Sequence, residues 1–148
     1  MSAQENKAIV RRLYEEAISQ NKPEVFDEIM SADIIDHAPL PEQAPGLEGF
    51  KGVFILMLSA FPDYQSTVED QIAEGDKVVT RFSSQGTHQG EFMGIAPTGN
   101  RVRVTGIDID RLVEGKIVEH WSEADLLGMM TQLGVIPEPG QSEGAAPT

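Results

Sequence analysis

The sequence predicts an α+β fold, with N-terminal helices packed in a strongly curved antiparallel sheet and a short C-terminal helix. Three observations lead there. Apolar residues recur at helical spacing as far as Phe61. From Tyr64 onward the period changes to two, through long segments parted by turn residues. Gly86, Gly90 and Gly106 fall where long strands would bend. Helices first and a strand meander second is an α+β order.

Residues 3 to 20 read as the first helix. Ile9, Val10, Leu13, Tyr14, Ala17 and Ile18 form one apolar stripe, and Ser2 with Glu5 makes a capping box. Asn21–Lys22–Pro23–Glu24 reads as a second start signal, with Asn as cap. The short helix it opens carries Val25, Phe26, Ile29 and Met30. Asp33 to His37 is brief and β-like, and Pro39, Pro41 and Pro45 make the loop after it. A third helix is expected from about Leu47 to Phe61, with Ile55, Leu56 and Ala60 widening its stripe until it is buried on most sides. Strands are expected over 64–73, 77–88, 101–113 and 116–123. Glu74–Gly75–Asp76 and Glu114–Gly115 supply the tight turns. A last helix runs from Asp125 to Leu133 and stops at Gly134.

Length and charge narrow the function. The chain of 148 residues suits one domain, here expected over 1–136. From residue 137 it is mostly Pro, Gly, Ser, Glu and Ala, a disordered tail by composition. The net charge of −13 opposes a nucleic-acid groove or an anionic membrane surface. There is no cysteine, so disulfides, thiolate metal sites and cysteine nucleophiles are excluded together. No signal peptide or spanning segment is legible, and the expected address is cytoplasmic. Metal is not expected, because no HExxH pair or EF-hand loop appears and Asp108–Ile109–Asp110 lacks a third ligand in view. Phosphate loops and a Gly-x-Ser-x-Gly elbow are absent too.

Local motifs add a resemblance. Arg12–Leu13–Tyr14–Glu15–Glu16–Ala17, Asp36–His37–Ala38–Pro39 and the run from Asp110 to Trp121 carry it, followed by the segment Asp125 to Gly134. Over about residues 5 to 136 the chain resembles the SnoaL-like polyketide cyclase family, within the nuclear-transport-factor-2-like superfamily. The resemblance implies a cone of curved sheet closed by helices. It also implies ring closure of a polyketide ester by intramolecular aldol condensation, without metal or cofactor, an Asp acting as general base. By motif that base is Asp125.

The residues offer further candidates. A base needs a partly desolvated carboxylate, because an ordinary Asp near pKa ~3.9 is weak. Trp121, Phe92 and helix aromatics such as Phe54 could supply that environment. Asp125 also fits a helix cap, answering Ser122. If residues 116–125 stay extended, Trp121, Glu123 and Asp125 share a face, making Glu123 a proton shuttle or substrate contact. His120 then faces away. His37, and less so His88, could donate to a developing enolate. Arg111 shares parity with Ile107 and Ile109 and could hold an anion. Tyr14 could reach the pocket from the first helix.

Three functions compete: a cyclase on a small, apolar, carbonyl-bearing molecule; an isomerase, dehydratase or epoxide hydrolase in the same pocket; and a non-catalytic binding domain. Val102 and Val104, read as apolar positions on the opposite sheet face, predict a homodimer or homotetramer.

Overall fold

The computed structural model describes residues 1–137. All but the first residue of the predicted tail lie outside the described residues. Helix α1 covers Ala3–Arg12 and runs directly into a π-helical segment, Leu13–Ile18. The capping box forms as expected, with the Glu5 amide donating to Ser2 Oγ at 3.0 Å and the Ser2 amide to Glu5 Oε1 at 3.1 Å. The second expected cap does not form. Asn21 adopts a positive φ of 51°, and α2, Glu24–Ile29, starts behind Pro23 with no side-chain cap. Asn tolerates that conformation better than most residues, so it helps turn the chain instead.

Strand β1 spans Met30–Asp36 and helix α3 spans Gly46–Ala60. The sheet is completed by β2 (Gln65–Glu74), β3 (Lys77–Thr87), β4 (Arg101–Val113) and β5 (Lys116–Ala124). Helix α4, Leu126–Gln132, ends the described fold. The strand order is β1-β5-β4-β3-β2. Pairs from β2 to β5 are antiparallel, but β1 runs parallel to β5. The sheet is thus mixed at one edge: β1 reaches it from the helices rather than through a hairpin.

Helices and sheet meet because the apolar stripe of the first helix has a curved wall to fill. Val10, Leu13, Tyr14, Ala17 and Ile18 bury against Val78, Phe82, Leu112 and Ile117. Each buried Val, Leu, Ile or Phe among them contributes roughly 1.5–3 kcal/mol by leaving water. A second cluster of Ala60, Phe61, Phe92, Val102, Met129 and Leu133 gathers under α4. Helix α3 is more exposed than its composition implies. Leu47, Phe50 and Ala60 are buried, yet Ile55 and Leu56 face solvent, since only one side of the helix meets β1 and the interior.

Gly106 leaves no room for a side chain. A Cβ there would lie 2.5 Å from Phe82 Cζ, so the Phe82 ring can lie across β4 only over a bare backbone.

Candidate active site

Between the two apolar clusters lies a cavity of about 230 Å³. Its walls are mainly apolar: Leu13, Ile18, Phe50, Val53, Met57, Phe61, Phe82, Val102 and Val104, with Leu126 and Met129 from α4. Tyr14, Phe54 and Phe92 line it as the sequence suggested. A few polar groups converge on it, which is the usual make-up of a small-molecule site. They include Asp36 and Gln43 near β1, Tyr14, and Asp108, His120 and Ser122 from the central strands.

Strand alternation explains this set. On β4, Val102, Val104, Gly106, Asp108, Asp110 and Leu112 share one parity. Antiparallel register sets Asp110 opposite His120 and Asp108 opposite Ser122 on β5. Asp108 and His120 therefore reach the cavity, and Asp110 lies buried behind His120.

Tyr14 OH, projected from the π-helical segment, donates to Asp108 Oδ2. π-Helical turns occur often at functional sites. Asp108 Oδ1 is buried and has no hydrogen-bond partner among the described residues. Burial raises the Asp108 carboxyl above the ordinary Asp range, and Asp110 adds to this. The His120 charge and the Ser122 and Tyr14 hydroxyls pull the other way without winning. Burial, with the Asp108 and Asp110 charges, also lifts the Tyr14 phenol well above its ordinary value, so it stays a neutral donor.

His120 Nδ1 lies 2.7 Å from Asp110 Oδ1, and Phe50 packs edge-on against the ring. Burial opposes protonation of the imidazole. The Asp110 charge and hydrogen bond, then Asp108 and Asp36, outweigh it and raise His120 to about 9. Its Nε2–H is left as the donor available to a cavity ligand.

Several expected site residues stand elsewhere. Asp125 is exposed, is not among the cavity-lining residues, and caps α4 by accepting from the Gly128 amide at 2.9 Å. The helix needs that acceptor because its first amides have no partner within the helix. Ser122 does not cap; it lines the cavity. Trp121, Glu123 and Arg111 occupy the outer sheet face, and His120, expected outside, is inside. One residue of parity decides all four placements.

On that outer face His37 stacks on Trp121 with ring centroids 4.7 Å apart, and its Nε2 is 2.7 Å from Glu119. Its neighbours Asp36 and Ala38 line the cavity, so His37 points away from it. Arg111 Nε donates to the same Glu119 at 2.6 Å, which answers its charge. His88 is fully buried and outside the cavity wall, its Nδ1 accepting from the Thr98 amide at 3.2 Å. Val102 and Val104, expected on the opposite face, are cavity wall. Among the described residues no group of three or more His, Asp or Glu is placed to hold a metal ion.

The chemistry-bearing residues missed from sequence are Asp108, Asp110, His120 and Ser122. A signal existed for two of them: Asp108 and Asp110 are the only charges on an otherwise apolar face of β4.

Comparison with known proteins gives a consistent result. A family model described as SnoaL-like polyketide cyclase matches residues 8–133. Aklanonic acid methyl ester cyclase DnrD of Streptomyces peucetius is 28% identical over 131 residues, covering 85% of this chain and 88% of the relative. The structure of IdmH from Streptomyces antibioticus is 36% identical, with a TM-score of 0.77 over 87% of this chain and 98% of the other. TsrD from Streptomyces laurentii superposes with a TM-score of 0.84 at 29% identity, over 92% and 99% of the two chains.

Proposed function

Because the chain belongs to the SnoaL-like polyketide cyclase family, we propose that it closes a ring in a small polyketide ester by intramolecular aldol condensation. The observation that carries this reading is Asp108, a carboxylate of raised basicity with one unpartnered oxygen in an apolar cavity. Such a carboxylate suits removal of a proton next to a carbonyl. The methyl ester named for the relative DnrD supports an ester as substrate.

The proposed steps use only this chain's residues. Asp108 removes a proton from carbon and leaves an enolate. The enolate carbon attacks a second carbonyl of the same molecule, forming one C–C bond. The carbonyl oxygen becomes an alkoxide and takes a proton from His120 Nε2. Asp108 gives up its proton to return His120 to its charged state, so no net proton is consumed. Tyr14 holds the Asp108 carboxylate toward the substrate. No metal or cofactor is required by this sequence. Asp125 has no part in it beyond its helix cap.

A polyketide methyl ester incubated with the protein should give a product of identical mass and shorter retention in the apolar phase, since a ketone becomes a tertiary alcohol. Absence of conversion across a panel of such esters, with binding retained, would favour a non-catalytic binding domain.

The same proposal includes a homodimer. Ile35 and Ile107 are each about half exposed on the outer sheet face, beside Trp121 and Ile109, and apolar patches of this kind mark interfaces.

A further inference from the structure

Asp110 does not line the cavity. It is fully buried on β4, one oxygen bonded to His120 Nδ1 and the other without a partner among the described residues. A buried carboxylate in that condition is costly unless a cation faces it. The groups that face His120 are few. Asp108 and Asp110 come from β4, Asp36 from β1, and the uncharged Phe50 from α3. No Lys or Arg lines the cavity among the described residues.

We propose that Asp110 is a positioning residue for the cyclisation, holding His120 as an imidazolium with Nε2–H turned to the substrate. Two physical effects carry this. The hydrogen bond to Nδ1 fixes which ring nitrogen is buried, and the paired charge keeps both nitrogens protonated. Without Asp110 the ring can turn neutral and present a lone pair where the alkoxide needs a donor. The known pattern of a carboxylate orienting a catalytic histidine is general chemistry, and here the partner is two residues from the proposed base on one strand. The inference rests on the cyclase reading, but its structural half can be measured without turnover.

The test is Asp110→Asn, followed by two readouts. In the intact protein, NMR titration of labelled histidines should show His120 with a midpoint near 9. In Asp110→Asn that midpoint should fall by two pH units or more. The alkaline limb of the kcat/KM profile should move down with it, leaving turnover at pH 6 within about fivefold of the parent and at least about 20-fold lower at pH 8.5, with KM little changed. A His120 midpoint near ~6.5 in the unmodified protein overturns the proposal even if Asp110→Asn fails to fold. A shifted midpoint with an unchanged rate profile also overturns it, leaving a purely structural pair. If no ester is turned over at all, the cyclase reading falls, while the titration still decides the state of His120.

Discussion

His120 shows how a single residue can link the site to stability. Its folded-state value of about 9 lies above the ordinary 6.5. A raised value means the protonated form is favoured by folding. That stabilisation is complete below about pH 6.5 and is lost as pH rises through about 9. The melting temperature should therefore fall between pH 7 and 9.5, by an amount on the order of 2–3 kcal/mol in stability. His120→Gln should lack most of that slope. The Asp108 carboxyl is also raised, so its contribution is lost as pH climbs from the ordinary Asp range, in a separate acid window. Tyr14 titrates well above 10 and lies beyond the scan. A melting temperature flat over pH 7 to 9.5 would show that His120 is neutral throughout.

The placement of elements was largely legible in the sequence, because each rests on local signals. Turn residues at Glu74–Gly75–Asp76 and Glu114–Gly115 bound strands that the structure confirms within a residue or so. The π-helical segment was not legible, since Leu13–Ile18 carries an ordinary helical stripe. Facing was the harder problem. On β4 and β5 both parities hold large apolar groups: Val102, Val104 and Leu112 on one, Ile107, Ile109 and Trp121 on the other. An indole is more often interior than an imidazole, so Trp121 and His120 point to the wrong parity. Burial on a curved sheet is set by which face meets the helices, and that is tertiary information. Register shifts between Arg111 and Leu112 and between Met30 and Ile35 further break simple counting. Asp125 shows the same limit at a strand–helix junction: motif position suggested a base, whereas the free Gly128 amide recruits it as a cap. Asp125→Ala should cost about 1 kcal/mol of stability and Asp125→Asn only a few tenths, as read by urea unfolding. A larger loss for Asn than for Ala would contradict the cap.

For the whole molecule, the cone separates two surfaces with different work. The inner surface brings Tyr14, Asp108, His120 and Ser122 to about 230 Å³ of mostly apolar space. The outer surface carries Trp121, stacked on His37 with Lys77 5.7 Å from its ring centroid, beside exposed isoleucines. Light scattering at micromolar concentration should report twice the mass of the 16.1 kDa chain, and Ile107→Glu should halve it. A monomer before substitution would remove the dimer.

Asp108, within the cone, is the proposed base. Turnover of one polyketide methyl ester by Asp108→Asn and by Asp125→Asn, each checked for an intact fold, tests it most directly. Asp108→Asn should lose on the order of 10²–10⁴ in kcat, and Asp125→Asn should keep near-parent turnover. The reverse pattern, with Asp125→Asn inactive and Asp108→Asn active, would contradict it and return the base to the start of α4.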